Sequence, residues 1–413
     1  MAGSLWEDAR TIIGAALKAA QPHEAVRKAL ADFDAGGGGR VILAAIGKAA
    51  YAMAEAAVGI LGSRISRGII ITKYGHGGEA LPGIVLRESG HPMPDENTIR
   101  ATEEALAMVR GLAPQDKVLL LVSGGGSSLF ESPRVPLPEL RDITRQLLES
   151  GADIVELNTL RKRLSNVKGG RFALACQPAR VFAVVLSDII GDPLDMIASG
   201  PAYPDSSTSR QAMDIARKYE LKLSDKALKL LSEETPKELG NVETRVTGSV
   251  TQLCAAASKA AESLGYAPQV LTSSLDCVAR EAGAFLAAIA REHQEGLLSR
   301  AFILGGETVV KVTGRGMGGR NQEIALAAAS GIRGLKDTAV FSVGSDGTDG
   351  PTDAAGAYCD GESADRLISQ GIDLQEFLND NNAYPALKAI GGLIMTGPTG
   401  TNVNDLTVLL IRR

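Results

Sequence analysis

The sequence has few aromatic residues and few cysteines, and both shortages narrow the classes of protein it can encode. Aromatic residues make up 4% of the 413 residues, so the cores must be filled mainly by Ala, Val, Leu and Ile. No C-x-x-C pair is present, which argues against a zinc ribbon or a thioredoxin-type redox site. The four cysteines are widely scattered, at Cys176, Cys254, Cys277 and Cys359.

The sequence also lacks long apolar runs and long basic runs. No stretch reaches the ~20 apolar residues that a bilayer-spanning helix needs, and residues 1–8 show neither a basic nor an apolar signal region. A net charge of −5 without a basic patch gives no electrostatic footprint of nucleic-acid binding. We therefore expect a cytoplasmic enzyme that binds neither nucleic acid nor membranes.

The length and the alternation of patterns predict the fold. A chain of 413 residues is too long for one ordinary core, so two domains are expected. Apolar strands alternate with helical segments, which predicts an α/β fold with a mostly parallel sheet and helices on both faces. The polar segment 233–243 contains Pro236 and Gly240. We place the boundary there, between a larger N-terminal domain (1–240) and a smaller α/β C-terminal domain (241–413).

One glycine-rich stretch stands out because it follows a buried strand directly. The apolar residues 119–122 are followed by a loop of six small residues, Ser123, Gly124, Gly125, Gly126, Ser127 and Ser128. Three consecutive glycines let the backbone approach a ligand and turn its amides inward, an arrangement suited to phosphate oxygens. A plain strand-to-helix turn is the alternative, but one glycine would normally be enough for it.

Two charged residues also follow apolar strands directly. Lys48 follows strand 41–46 and begins a helix, where it is placed to contact an anion, although an exposed surface lysine would show the same pattern. Asp188 follows strand 180–186 and is a candidate metal ligand or general base. Ligands of parallel sheets bind at the carboxyl ends of the strands, so we expect Lys48, Asp188 and the Ser123–Ser128 loop to line one crevice.

A second glycine-rich loop lies in the C-terminal half. Residues 314–319 match G-x-G-x-x-G between a predicted strand (308–312) and a helix, which taken alone suggests a dinucleotide site. The match is weak, because no clear β-α-β unit with an acidic residue follows. Arg320 comes directly after the loop and could bind phosphate or carboxylate through two parallel hydrogen bonds, or pair with Glu323.

Acidic residues follow the predicted strand 339–343. Asp346, Asp349 and Asp353 lie in S-D-G-T-D-G-P-T-D, whose spacing excludes an EF-hand loop. Carboxylates in such a turn suit Mg²⁺, which is usually held by one or two carboxylates together with phosphates. Ordinary Asp-Gly turn chemistry explains the same residues equally well. Glu307 is a further carboxylate, after a glycine pair.

These candidates are anion-binding loops, two cations and several carboxylates at strand ends. His76 and His91 have no partner at metal-ligand spacing, and the G-x-S-x-G motif of serine hydrolases is absent around Ser127. Phosphoryl transfer needs such a set, because it depends on positioning and charge neutralisation more than on covalent chemistry by the protein.

Longer motifs resemble a known family. L-L-V-S-G-G-G-S-S-L-F, N-T-L-R-K-R-L-S-N-V-K-G-G-R, L-S-D-I-I-G-D-P-L-D-M-I-A-S-G-P, G-G-E-T-V-V-K-V-T-G-R-G-M-G-G-R-N-Q-E and D-G-T-D-G-P-T-D-A-A-G are similar to motifs of the MOFRL-type glycerate 2-kinases. The resemblance extends from about residue 41 to the C-terminal strand. It implies a larger Rossmann-like N-terminal domain, a smaller MOFRL-type domain and an active site in the cleft between them.

The resemblance also implies an ATP- and Mg²⁺-dependent kinase acting on the 2-hydroxyl of D-glycerate, with Lys48 and Arg320 as essential cations. We expect Ser123–Ser128 to bind ATP phosphates, Asp188 to act as base, and Asp188, Asp346 and Asp349 to serve as metal ligands. An NAD(P)H-dependent hydroxypyruvate reductase using residues 314–319 is the alternative, but no suitable histidine lies near that loop in the sequence. The oligomeric state is open, with a homodimer as one option.

Overall fold

The computed structural model describes residues 4–34, 38–187 and 194–413, which form two compact units. In the described chain, the first unit comprises residues 25–187 and 194–247, and the second comprises residues 4–24 and 248–413. No helix of the described chain is both long enough and apolar enough to cross a membrane.

The first unit contains a six-stranded sheet in which all neighbouring strands are parallel. Its strands are β1 (Val41–Ile46), β2 (Ile65–Lys73), β3 (Ile84–Ser89), β4 (Lys117–Val122), β5 (Arg180–Leu186) and β6 (Val242–Thr247). The central strand β1 is buried along its whole length, as its uninterrupted apolar sequence predicts. The strand order β3-β2-β1-β4-β5-β6 is that of the doubly wound fold, and it reverses between β1 and β4.

Helix α2 (Pro22–Leu30) begins at the boundary of the two units and precedes β1. The helices between the strands are α3 (Ala50–Leu61), α4 (Glu96–Val109), α5 (Gly126–Leu129), α6 (Leu137–Glu149), α7 (Ile154–Arg163), α8 (Arg171–Ala175), α9 (Ser209–Lys218) and α10 (Asp225–Leu231). Right-handed crossovers on either side of the strand-order reversal place helices on opposite faces of the sheet. Leucines and alanines of α6, α7, α9 and α10 form a separate apolar cluster, which fixes α7 within the unit.

The second unit contains a mixed six-stranded sheet with the order β11-β10-β9-β12-β8-β7. Its strands are β7 (Ala267–Leu275), β8 (Arg300–Gly306), β9 (Thr338–Gly344), β10 (Gly356–Asp360), β11 (Leu393–Ile394) and β12 (Asp405–Ile411). Only β7 and β8 pair in parallel, and the other pairs are antiparallel. Its helices are α1 (Leu5–Ala19), α11 (Val250–Ser263), α12 (Ala279–Glu292), α13 (Arg320–Gly331), α14 (Ser363–Ser369), α15 (Leu374–Asn379) and α16 (Ala383–Ala389).

The predicted α/β fold is confirmed, and the division of the chain differs from the predicted boundary of 240/241 in two places. Strand β6 lies after residue 240 but pairs with β5 in the first sheet. Helix α1 lies at the start of the chain but packs against α11 and β9 in the second unit. Both differences arise from contacts between segments that are far apart in sequence. Strand β6 completes the sheet of the first unit, and α1 buries Ala9, Ile12 and Ile13 in the second unit.

One predicted strand is wrong. Residues 308–312 do not belong to a strand of the second sheet, and Val309 makes an isolated bridge to Val278 instead. Val309 and Val312 are exposed, so the apolar residues that suggested a strand are not buried on a sheet.

Candidate active site

The predicted glycine-rich loop and Lys48 lie together in the first unit. Strand β1 ends at Ile46 and β4 at Val122, and the two strands pair in register at these residues. The Ser123 amide donates to the Ile46 carbonyl (3.0 Å), and the Lys48 amide donates to the Gly124 carbonyl (2.9 Å). Since the strand order reverses between β1 and β4, both segments lie at the position where doubly wound sheets bind ligands.

Ser123 has a structural role within this loop. Its buried hydroxyl accepts a hydrogen bond from the Ala49 amide (3.0 Å) and donates to the Ile46 carbonyl (3.3 Å). At Gly47, where φ is +114°, a Cβ atom would lie 2.3 Å from Ser123 Oγ. Ser123 therefore ties the ends of β1 and β4 together, and the hydroxyl that we predicted to bind a ligand is already engaged.

Two of the glycines are required by close neighbours. Gly125 has φ of +82°, and a Cβ there would lie 3.1 Å from Lys48 Cγ and 3.2 Å from His91 Nε2. A Cβ at Gly126 would lie 2.6 Å from that of Ala198. The loop thus brings its backbone closer to the Lys48 and His91 side chains than a residue with a Cβ could lie without displacing them.

The hydroxyls at the end of the loop bond within the first unit. Ser127 Oγ lies 2.9 Å from Ser199 Oγ, and Ser199 Oγ donates to Asn158 Oδ1 of α7 (2.8 Å). Ser128 Oγ donates to the Gly125 carbonyl (3.2 Å). These bonds hold the loop and α5 in one conformation.

Lys48 and His91 provide the charge and the titratable group beside the loop. The Lys48 side chain is exposed, and within the described ranges its ammonium makes no ion pair. Burial lowers the pKa of His91, and the positive charges of Lys48 and Lys73 act in the same direction. His91 is therefore neutral near pH 7. The sequence did not predict that His91 lies beside this loop, because the two are distant in sequence and the fold brings them together.

Arg320 is the centre of the candidate site in the second unit. It begins α13, and its guanidinium donates to Asp405 through Nε (2.5 Å) and Nη2 (3.0 Å) and pairs with Glu307 through Nη1 (2.9 Å). Burial acts to lower the pKa of Arg320, but the hydrogen bonds and charge of Asp405 outweigh it, and the pKa is raised. Arg320 is thus permanently charged and held by two carboxylates, and the predicted alternative partner Glu323 pairs with Arg280 (3.0 Å) instead.

The sheet explains why these carboxylates meet. Asp405 begins β12, where it pairs with Gly306 at the end of β8 and with Gly344 at the end of β9. Because β12 runs antiparallel to both, its first residue lies at the edge where β8 and β9 end. The prediction missed Asp405, although a carboxylate at the start of a buried apolar strand is an unusual feature that could have marked it.

Asp349 and Asp346 have different surroundings. Asp349 is buried and accepts hydrogen bonds from the amides of Asn321 (3.2 Å) and Gln322 (2.9 Å) at the start of α13. Burial raises the pKa of Asp349 to about 6, against the opposing effect of these amides. Asp346 is half-buried, and its Oδ1 accepts the Thr348 amide (3.0 Å).

The carboxylates fit a metal ion only in part. Among the described residues, no group of three or more histidines, cysteines or carboxylates could hold a metal ion. Both oxygens of Asp349 accept hydrogen bonds from amides of α13, and its role as a metal ligand stays a prediction. Asp346 fits a site with a single carboxylate, to which nucleotide phosphates would supply further oxygens. Asp188, the predicted base and metal ligand, lies outside the described residues.

The second glycine loop is not a dinucleotide-binding loop. Its amides donate to side chains of residues 380–382: Gly314 to Asn381 Oδ1 (2.9 Å), Arg315 to Asp380 Oδ1 (2.9 Å) and Met317 to Asn382 Oδ1 (3.0 Å). A Cβ at Gly314 would lie 2.3 Å from the Asp380 backbone. The glycines therefore serve close packing, and the amides that a pyrophosphate would need are taken.

A cavity of about 780 Å³ lies beside Arg320 in the second unit. It is lined by Glu307, Arg320, glycines of the loop 316–319 and apolar side chains that include Val309 and Val312. Its size is that of a small-molecule pocket, and its walls combine apolar surface with one arginine and carboxylates.

Comparisons with known proteins agree with these features. Residues 8–232 match a family described as a domain of unknown function (DUF4147), and residues 300–405 match the MOFRL family. The D-glycerate 2-kinase of Thermotoga maritima is 49% identical over 99% of this chain and 99% of its own. A crystal structure described as glycerate kinase from that organism has a TM-score of 0.94 at 48% identity, covering 98% of this chain and 99% of its own.

Another relative has a different name. A protein named putative hydroxypyruvate reductase from Agrobacterium vitis is 40% identical over 97% of this chain and 93% of its own, a lower identity than that of the kinase. The match to two family models in sequence order and the similarity along almost the whole chain confirm the resemblance seen in the motifs. The chain belongs to the MOFRL-type glycerate 2-kinase family.

Proposed function

We propose that this protein is a D-glycerate 2-kinase, which transfers the γ-phosphoryl group of ATP to the 2-hydroxyl of D-glycerate and releases ADP. The observation that carries the proposal is the glycine loop beside Lys48 at the reversal of strand order in the first unit. Backbone amides and an ammonium at this position suit the phosphates of a nucleotide.

The residues of the first unit would bind and neutralise phosphate oxygens. Gly124, Gly125 and Gly126 have no side chains of their own to shield their backbone amides, and Lys48 supplies a compact positive charge. His91, being neutral, can accept a hydrogen bond from a hydroxyl group near Gly125. Asp188 as the base that takes the substrate proton stays a prediction, and so does a catalytic site that draws on both units.

Arg320 of the second unit would bind a further anionic group, either the glycerate carboxylate or the transferring phosphoryl group. Its guanidinium is held from one side by the buried Asp405, while the Glu307 side chain is 48% exposed. An incoming anion would therefore displace Glu307 more easily than Asp405, because Glu307 can return to water. Asp405 would keep Arg320 oriented throughout.

Mg²⁺ and ATP are the cofactor and the co-substrate that the family implies. Asp346 would hold Mg²⁺ together with phosphate oxygens, and the ion would supply positive charge to the transferring group. A cytoplasmic location and a homodimer stay predictions.

The reductase alternative is less well supported, because the amides of residues 313–317 already bind residues 380–382. One pair of assays separates the two functions. The purified protein is given D-glycerate, ATP and Mg²⁺ while ADP is measured, and separately hydroxypyruvate and NADH while absorbance is measured. ADP formation with D-glycerate and not with L-glycerate is expected, and NADH consumption without ADP formation would reject the kinase.

The position of phosphorylation can be read from the product. Phosphorus on the 2-oxygen couples to one carbon-bound proton and gives a doublet in the phosphorus NMR spectrum. Phosphorus on the 3-oxygen couples to two protons and gives a triplet. We expect the doublet.

A further inference from the structure

Helix α7 ends with three consecutive basic residues, Arg161, Lys162 and Arg163, and only the last two form ion pairs with described residues. Lys162 Nζ pairs with Asp195 (3.1 Å) and with the buried Asp205 (3.0 Å), and Arg163 also pairs with Asp205 (3.5 Å). Arg161 is only partly exposed, yet it makes no hydrogen bond or ion pair with any described residue. A favourable contact with the carboxyl end of the helix is available to all three and does not explain this difference.

The face of α7 that carries Arg161 is fixed against the glycine loop. Asn158 accepts a hydrogen bond from Ser199 Oγ (2.8 Å), which lies 2.9 Å from Ser127 Oγ. Asn158 and Arg161 are three residues apart in the helix, so they lie on the same face. The hydrogen bonds that anchor the loop therefore also determine where Arg161 lies.

Arg161 lines a small cavity together with Ser127, Ser128, Glu131 and Arg141. Its volume of about 10 Å³ is that of one water-sized group, so it would accept a single oxygen atom and not a whole ligand.

The charges around this cavity favour an anion. Glu131 pairs with the buried Lys168 at 2.8 Å, so the negative charge of Glu131 is offset within this pair. The Arg141 guanidinium donates to the Pro94 carbonyl (2.6 Å and 3.0 Å), and no carboxylate of the described residues pairs with it. With Arg161 the wall of the cavity is net positive.

A half-buried guanidinium without a partner is costly. Burial lowers the pKa of Arg161, against the opposing charge of Glu131, which means that the fold disfavours the charged form. Such groups are usually paired or serve a function.

We propose that Arg161 binds an oxyanion at the Ser123–Ser128 loop, with one oxygen of the ligand in the cavity that it lines. The ligand is the carboxylate of glycerate or a phosphate of the nucleotide, and this choice rests on the proposed function. A planar guanidinium suits either group, because it donates two parallel hydrogen bonds.

Direct binding measurements test the proposal without requiring turnover. D-glycerate, ADP and inorganic phosphate are each titrated calorimetrically into the wild type, Arg161→Met and Arg161→Lys. Arg145→Met is the matched control, because Arg145 is exposed on α6 and pairs with Asp142 and Glu149 of its own helix. Thermal unfolding of each variant is recorded alongside.

Arg161→Met should weaken binding of one ligand by about 10- to 100-fold, as expected for loss of a charged hydrogen bond. Arg161→Lys should fall between this variant and the wild type, and Arg145→Met should match the wild type. A loss confined to glycerate assigns Arg161 to the carboxylate, and a loss for ADP or phosphate assigns it to the nucleotide. If Arg161→Met is unfolded, the comparison uses Arg161→Lys, which keeps the charge but not the paired geometry.

Wild-type affinity of a folded Arg161 variant for all three ligands would overturn the proposal. So would a wild type that binds none of them. A wild type that makes no ADP from glycerate and ATP, yet loses ADP or phosphate binding on Arg161→Met, would reject the proposed function and keep Arg161 as an anion-binding residue.

Discussion

At the scale of single residues, Asp405 holds the guanidinium of Arg320 in one orientation. Its two oxygens take two donors of the guanidinium from a position that is almost completely buried. Burial raises the pKa of Asp405, but the arginine opposes this effect by favouring the charged carboxylate. Asp405 is therefore a positioning residue, whose removal should affect the reaction through Arg320.

Asp405→Asn should lower kcat/KM by about 10- to 100-fold, because a misplaced catalytic group costs on the order of 100-fold. Steady-state kinetics with D-glycerate and ATP measure this change. Asp360→Asn is the control, since Asp360 also pairs with an arginine of the second unit, Arg366, at 2.8 Å. Unchanged kinetics of Asp405→Asn would show that Arg320 does not need this partner.

Asp349 should make stability depend on pH. Its folded pKa of about 6 exceeds the ordinary aspartate value of 3.8, so the folded state binds more protons between these values. Stability contributed by the protonated carboxyl is therefore present below about pH 4 and is lost as pH rises through 6.

Comparison with Asp349→Asn isolates this effect. The difference in unfolding free energy, wild type minus variant, should be lower at pH 7 than at pH 4 by about 2 kcal/mol, since each pKa unit corresponds to about 1.4 kcal/mol and the carboxyl of the unfolded chain is already partly ionised at pH 4. Denaturant titrations at both pH values measure it. A difference that does not change with pH would mean that burial does not shift this carboxyl.

At the scale of elements, the turn between β4 and α5 depends on Gly125. Gly125 and Gly111 both have positive φ, +82° and +66°, so alanine strains the backbone at either position. At Gly111 a Cβ would meet nothing within 4 Å, whereas at Gly125 it would crowd Lys48 and His91. Comparing alanine substitutions at these two positions therefore distinguishes the effect of backbone strain from the effect of crowding Lys48 and His91.

Gly125→Ala and Gly111→Ala should each lower stability by about 1 kcal/mol, since a left-handed conformation costs a residue with a Cβ about that much. Only Gly125→Ala should also lose most of its kinase activity, because the added methyl group displaces Lys48 or His91. Thermal unfolding and the ADP assay measure the two effects. Equal activities of the two variants would argue against a role for this turn in binding.

At the scale of the whole molecule, the start of the chain belongs to the unit formed by its end. Helix α1 packs against α11 and β9. Asp8 of this helix accepts a hydrogen bond from the Tyr266 hydroxyl (2.6 Å) and forms an ion pair with Arg412. Trp6 lies edge-on to Tyr358, with ring centroids 4.8 Å apart. The second unit therefore cannot be complete without the first residues of the chain.

Ile12→Ala should destabilise the second unit by about 2–5 kcal/mol, because Ile12 is fully buried in α1. Hydrogen exchange should accelerate in α11 and β9 and stay unchanged in β1 and β4, which serve as the control within the same molecule. Faster exchange in both sheets would show that the units unfold together.

The sequence by itself determined much of the fold. Strands β1 and β5 begin and end where their apolar runs predicted, because uninterrupted apolar residues next to glycine or serine leave few other choices. The motifs identified the family, and Lys48, the Ser123–Ser128 loop and Arg320 could be predicted as site residues because charge and glycine at strand ends are local features.

Only the tertiary structure decided which of these groups meet. No sequence pattern assigned a role to His91, Arg161 or Asp405. Their positions result from the parallel pairing of β3 with β2, from the hydrogen bonds that hold α7, and from the antiparallel register of β12 with β8 and β9. The loop 314–319 shows the opposite case, since its glycine pattern suggested a dinucleotide but its amides bind residues 380–382. The local sequence determines which conformations the backbone can adopt. Contacts between residues distant in sequence determine which groups its amides bind.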